Sequence, residues 1–136
     1  MMENSKNVAA IVAAKKLCPD LQCLYLFGSH ATGTARTDSD VDFAVLKTTP
    51  LAADVAFELK TDLSIVCKRD VDLVDLFCCD TVTAAQVVTF GVLLHTNSAF
   101  VSDSFEMVVL SKYALLNEDR KELLEDILSR GSVYGR

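Results

Sequence analysis

Two short apolar segments limit what this chain can fold into. The segments LQCLYLFG (21–28) and DVDFAVLK (40–47) are dense in large apolar residues, and each spans only eight positions. Apolar runs of this length are typical of buried β-strands, whereas helices are usually longer. The polar, small-residue stretch between them has room for about two helical turns. The sequence therefore predicts two buried strands joined by a short helical turn.

The rest of the chain alternates between helical and strand patterns. Apolar residues recur every three or four positions in the helical segments, and Pro19 ends the first of them. No repeat, linker or low-complexity tract interrupts the pattern, so we expect one α/β domain over residues 1–136 with an irregular end. The predicted elements are a helix over 3–17, a helix over 51–66, a strand over 69–77, a helix over 81–90, a short strand or extended segment over 91–96, and a long amphipathic helix over 100–129.

Composition narrows the class of protein. Hydrophobic residues make up 51% of the 136 positions, enough for a proper core, but no apolar run approaches the ~20 residues of a membrane span. The N-terminus lacks the basic start of a signal peptide, so we predict a cytoplasmic protein without membrane contact. A net charge of -6 argues against direct nucleic-acid binding and favours a basic protein partner, or a ligand that arrives with metal ions.

The cysteines do not indicate a zinc or disulfide framework. There are five of them, an odd number, with no C-x-x-C pair and only two histidines to complete a zinc site. We therefore expect reduced, mostly structural thiols, and we expect the adjacent pair Cys78 and Cys79 to be buried as small hydrophobic residues.

A pair of carboxylates marks the second strand. Asp40 and Asp42 are two positions apart, so their side chains leave the same face while Val41 and Phe43 point to the other. Such a pair repels unless a pKa rises, a basic group intervenes or a divalent cation binds. Aspartate oxygens suit Mg²⁺, which in turn suits phosphate substrates. The preceding Asp38 is interpreted as a turn residue.

A phosphate-binding turn is predicted where the first strand ends. Gly28 would let a ligand approach the backbone, and the hydroxyl of Ser29 could hold a phosphate oxygen. Gly33 could likewise let a ligand approach the backbone. Arg36 adds a planar, positively charged group that can bind phosphate. The histidine that follows Ser29, His30, is interpreted as an exposed, incidental residue.

A third carboxylate is expected from the neighbouring strand. Asp72 and Asp75 have opposite parity, so only one of them can face the pair. We favour Asp72, predicted to lie in mid-strand, and interpret Asp75 as a strand-end or capping residue. Three aspartates can hold two Mg²⁺ ions, one at the attacking oxygen and one at the triphosphate.

These motifs carry a family resemblance. Gly28-Ser29, ten residues and Asp40-Val41-Asp42 resemble the G-S-x10-D-x-D signature of the polymerase-beta-like nucleotidyltransferases. With DVDLVDL and QVVTFGVLLH, the chain is more narrowly similar to the minimal nucleotidyltransferase (MNT) antitoxins of HEPN/MNT toxin-antitoxin pairs, over a motif core of about residues 20–95. The resemblance implies a small mixed sheet covered by helices, Mg²⁺-dependent transfer of AMP from ATP, and a tyrosine of the HEPN ribonuclease toxin as acceptor.

The resemblance also implies residue roles. It makes Asp40, Asp42 and Asp72 metal ligands, with Asp72 also the general base, and it makes Gly28 and Ser29 the triphosphate cradle. It adds two loop positions that contact the nucleotide less uniformly across the family, Arg36 and Ser39.

Two other functions remain open at this point. The protein could neutralise its toxin by binding alone, which its acidic charge and the apolar stripe of the last helix would suit. It could instead modify a small molecule such as an aminoglycoside, although the short chain leaves little sequence for a second substrate domain. A calcium loop is rejected because Phe43 stands where that motif needs glycine, and a Walker loop because no Gly-Lys-Ser/Thr follows Gly28 or Gly33.

Overall fold

A four-stranded mixed sheet organises the protein. The computed structural model describes residues 4–36 and 39–129. No helix in these ranges has the length and apolarity needed to span a membrane. The elements are α1 (Asn4–Leu17), β1 (Leu21–Phe27), α2 (Ser29–Thr32), β2 (Val41–Lys47), α3 (Ala53–Cys67), β3 (Val71–Asp75), α4 (Thr81–Phe90), β4 (Val92–Thr96) and α5 (Ala99–Ser129).

The strand order is β3-β2-β1-β4. β1 runs antiparallel to both β2 and β4, and β2 runs parallel to β3, which follows the crossover helix α3. The two apolar segments predicted as buried strands are thus the two inner strands. The predicted α/β class, the mixed sheet and the long C-terminal helix are confirmed.

Each face of the sheet is covered by helices. The alternate residues Leu24, Leu26 and Phe43 are fully buried on the face that packs against α1 and α3. The opposite face, which includes Tyr25 and Ala44, packs against α4 and α5. This alternation follows from the two-residue repeat of a strand. Asp42 shares its parity with Ala44, so it lies on the α4 and α5 face.

Three local predictions need correction. α2 has a single turn instead of about two. β3 begins at Val71, so Asp72 is its second residue and not a mid-strand residue. Of the adjacent cysteines, Cys78 is exposed, although Cys18, Cys23 and Cys67 are buried free thiols as expected. The predicted irregular end, residues 130–136, lies outside the described residues.

The far half of α5 has apolar side chains with little protein around them. Leu115, Leu123, Leu124 and Leu128 are all more than half exposed. Nearer its start, the same helix buries Ser102 and Val109 against the sheet and α4. The far half of α5 therefore offers apolar surface beyond the core.

A partly buried hydrogen bond connects β1 to α5. The hydroxyl of Tyr25 donates to Glu106 Oε2 at 2.8 Å, and burial together with the Glu106 charge raises the pKa of Tyr25. We expect Tyr25→Phe to lower the free energy of unfolding by about 1–2 kcal/mol, because it leaves the carboxylate without its donor. Urea unfolding measures this. The control is Tyr113→Phe, at a partly buried position on α5. Equal losses of unfolding free energy in the two variants would contradict the prediction.

Candidate active site

Two of the predicted aspartates face each other across neighbouring strands. Asp42 on β2 and Asp72 on β3 are register partners in the parallel pair, so their side chains leave the same face of the sheet. Asp40 immediately precedes β2. We call Asp40, Asp42 and Asp72 the acid cluster. Asp42 is half-buried, whereas Asp40 and Asp72 are exposed.

The acid cluster carries unbalanced negative charge. Burial raises the pKa of Asp42 above its ordinary value, and the charges of Asp72 and Asp40 raise it further. The nearby His30 acts in the opposite direction. A cation at this position would relieve the repulsion.

Asp75 is engaged elsewhere. Its Oδ2 accepts a hydrogen bond from the Leu51 amide at 2.9 Å, and its Oδ1 accepts one from the Phe77 amide at 3.0 Å. The Cys78 thiol also donates to it, at 3.2 Å. Asp75 therefore fastens the segment before α3 to the end of β3, on the side of the strand opposite to Asp72.

The glycine turn after β1 approaches the acid cluster closely. Gly28 has φ +74° and ψ -155°, a conformation that is essentially restricted to glycine. A Cβ atom at this position would overlap Asp42 Oδ2. Ser29 then begins α2, and Gly33, with φ +78°, ends it. The structure thus brings Gly28 and Ser29 next to the predicted carboxylates.

The loop from α2 to β2 is fastened by His30. This side chain is only 8% exposed, and its Nε2 lies 3.2 Å from the Ser39 carbonyl oxygen. The prediction of an exposed histidine was wrong, because its burial accompanies a contact with Ser39, nine positions away, which no local pattern signals. The Ser39 hydroxyl accepts a hydrogen bond from the Arg36 amide at 2.7 Å, and the Arg36 residue is exposed. Thr37 and Asp38 lie outside the described residues.

The acid cluster suits a divalent cation in its chemistry. Its donors are hard carboxylate oxygens, and burial together with the charges of Asp72 and Asp40 raises the pKa of Asp42. Within residues 4–36 and 39–129, no group of three or more acidic, histidine or cysteine side chains is already closed into a metal-binding arrangement. The residues therefore fit Mg²⁺ by donor type and charge.

Comparison with known families decides the class of protein. Residues 6–99 match the family model described as "Polymerase beta, Nucleotidyltransferase". This chain belongs to that family. The match covers the whole sheet, the glycine turn and the acid cluster, so the family predicted from the G-S-x10-D-x-D motif is confirmed.

Individual relatives show a more specific similarity within this family. The chain is 37% identical over 111 residues to the protein adenylyltransferase MntA of Shewanella oneidensis, covering 82% of this chain and 79% of the relative. A crystal structure of a toxin-antitoxin with AMP-PNP is 34% identical, with a TM-score of 0.79, covering 93% of this chain and 99% of that chain. A second similar structure contains a tri-AMPylated S. oneidensis HEPN toxin with its MNT antitoxin; it is 31% identical, with a TM-score of 0.77, covering 93% of this chain and 99% of that chain.

Proposed function

We infer that this protein is an antitoxin that transfers AMP from ATP to a tyrosine of a cognate HEPN ribonuclease toxin and so neutralises it. The observation that carries the proposal is the acid cluster against the glycine turn, in a chain that belongs to the nucleotidyltransferase family. Support comes from the relatives, which include a protein adenylyltransferase and a complex with an AMPylated toxin. The AMP-PNP in a similar complex supports ATP as the donor.

The nucleotide would bind across the glycine turn. Gly28 leaves space for the triphosphate, and the Ser29 hydroxyl would donate to a phosphate oxygen. Arg36, which is exposed, would bring its guanidinium to the phosphates, and Ser39 would hold the loop through its bond to the Arg36 amide. Two Mg²⁺ ions would be held by Asp40, Asp42 and Asp72. When bound, they would neutralise phosphate charge and polarise the attacking oxygen.

The chemistry that we propose is one displacement. The tyrosine oxygen bonds to the α-phosphorus of ATP, and the bond from that phosphorus to the bridging oxygen breaks, so that pyrophosphate leaves with the bond electrons. The tyrosine proton passes to Asp72, which is exposed and therefore within reach of an acceptor on another protein. Placement and charge neutralisation supply most of the rate.

A protein acceptor suits the surface of this chain. The exposed leucines in the far half of α5 provide apolar area for a partner, and the net charge of -6 favours a partner with a basic surface. We therefore expect a hetero-oligomer with the toxin and no direct binding to nucleic acid. We also expect a cytoplasmic location, where ATP is abundant and thiols such as Cys78 stay reduced.

Intact mass spectrometry of the toxin tests the proposal. The protein is incubated with ATP, Mg²⁺ and the product of the neighbouring gene, beside an Asp40→Asn, Asp42→Asn double variant and the exposed control Glu58→Gln. We expect a toxin heavier by whole AMP units with wild type and Glu58→Gln, and an unchanged toxin with the double variant. An unmodified toxin that wild type still silences would replace this proposal with inhibition by binding alone.

A further inference from the structure

A cavity of about 300 Å³ opens beside the glycine turn. We call it the aromatic pocket. This volume lies at the lower end of the range for small-molecule sites. Its lining residues are Phe27, Gly28, Thr32, Gln86 and Phe90.

The aromatic pocket adjoins the acid cluster. Phe27 is the last residue of β1 and the register partner of Asp42 on β2, so the two side chains share one face of the sheet at a separation of about one strand spacing. Gly28, which contacts the Asp42 side of the turn, also lines the pocket. A nucleotide with its phosphates at the glycine turn therefore has this pocket next to it.

Two aromatic rings border the pocket, and one of them is unusually exposed. Phe90 is 64% exposed at the last position of α4, and Phe27 is half-buried beneath it. A flat, open aromatic surface next to a phosphate site is suited to stacking a nucleobase. Because every base has such a face, stacking alone does not choose among nucleotides.

Gln86 can discriminate between nucleobases. It stands one helical turn before Phe90, so both side chains leave the same side of α4, away from the buried Ala84 and Val87. Gln86 is exposed and lines the aromatic pocket. A carboxamide offers one donor and one acceptor in a plane, which matches the ring nitrogen and the amino group of adenine.

We propose that the aromatic pocket binds the adenine base of ATP, with Phe90 stacked on the base and Gln86 selecting adenine over guanine. Gln86 Oε1 accepts from the 6-amino group and its Nε2 donates to the neighbouring ring nitrogen N7. Guanine presents two acceptors on this edge, N7 and the 6-oxygen, so a carboxamide in either orientation keeps only one of the two hydrogen bonds. This inference rests on the proposed function, because it assigns the base-binding part of the same ATP site.

Nucleotide binding by calorimetry, with ATP or GTP and Mg²⁺, tests the pocket independently of transfer. We expect Phe90→Ala to weaken ATP binding about tenfold, with Phe90→Tyr retaining it. We expect Gln86→Met to lower the ratio of ATP to GTP affinity about tenfold. The control is Thr89→Ala, which is exposed on the same helix but does not line the pocket, and which should bind both nucleotides as wild type does.

Transfer to the toxin, measured with the same variants, separates this inference from the proposed function. Phe90→Ala should raise the KM for ATP with little change in kcat, since the base does not react. If both variants keep wild-type ATP affinity and nucleotide preference while wild type still transfers AMP, the pocket assignment fails and the proposed function stands. If wild type binds ATP through this pocket but transfers nothing, the proposed function fails instead. If Gln86→Met weakens ATP and GTP equally, its role in selection is overturned.

Discussion

Asp42→Asn is expected to lower AMP transfer at least about 100-fold and to stabilise the nucleotide-free protein. The loss of activity follows from removing a proposed metal ligand at the centre of the acid cluster. Even residues that only support the ligands of a metal site typically lower activity about 10- to 100-fold when they are replaced. The gain in stability follows from the raised pKa of Asp42, which burial and the charges of Asp72 and Asp40 produce. The asparagine side chain has the same shape but is neutral, so neither burial nor the charges of Asp72 and Asp40 destabilise it.

The gain in stability should depend on pH in a defined direction. Below the ordinary carboxyl pKa of 3.8, Asp42 is protonated in both the folded and the unfolded protein, so the variant gains nothing there. As pH rises through that value, the unfolded chain ionises first, and the folded wild type loses stability relative to Asp42→Asn. Urea unfolding at pH 3 and pH 7 measures the difference. An active variant would contradict the metal role, and a variant that is less stable at pH 7 would contradict the electrostatic account.

Glu58→Gln provides the matched control for charge. Glu58 is exposed on α3, away from the acid cluster, and its substitution changes the net charge by the same amount. It should leave transfer unchanged and should not reproduce the pH-dependent gain. Equal behaviour of the two variants would mean that the overall charge of the protein, and not the acid cluster, governs both measurements.

Gly28→Ala is expected to abolish transfer and to destabilise the fold. The backbone at Gly28, φ +74° and ψ -155°, costs a residue with a side chain about 1–3 kcal/mol. The new methyl group would also overlap Asp42 Oδ2, so that either the turn or the carboxylate must move. Because a displacement of about 1 Å near the reacting atoms can cost 100-fold, we expect at least that loss in rate.

Gly33→Ala separates strain from overlap. Gly33 also has a positive φ, +78°, but a Cβ atom there would meet nothing within 4 Å. We expect it to lose stability through backbone strain alone and to keep far more transfer activity than Gly28→Ala. Adding Asp42→Ala to Gly28→Ala should recover part of the lost stability without restoring activity. If Gly28→Ala transferred AMP as well as Gly33→Ala does, close packing of the turn on Asp42 would have no role in the reaction.

The sequence predicted those parts of the fold that local patterns determine. Dense apolar runs located β1 and β2, and the opposite parity of Asp72 and Asp75 left only one of them able to face Asp42. The burial of His30 could not be predicted, because its partner Ser39 lies nine positions away. The single turn of α2 ends at Gly33 in a left-handed conformation, whereas the polar stretch as a whole left room for a longer helix. The roles assigned to the acid cluster, Ser29, Arg36 and Ser39, and a single domain over residues 1–136, stay predictions.

The sequence alone does not single out Gln86 and Phe90, and the reason is physical. Their segment, QVVTF, reads as an amphipathic helix next to a strand, and neither residue belongs to a charged motif. The available signal was an exposed aromatic residue one turn after a carboxamide, directly before Gly91. Such a pair indicates a binding site only because the helix lies beside the glycine turn in the folded protein.

The carboxylates and the turn belong to three neighbouring strands, with Asp42 on an inner one. Spreading Asp42 and the glycine turn apart would require breaking the pairing of the two inner strands, β1 and β2. Asp72 lies on the edge strand β3, which is paired to β2 alone, so detachment of that one strand would remove Asp72 from the acid cluster. The proposed site therefore combines two groups that are as stable as the centre of the sheet with a third that local opening can release.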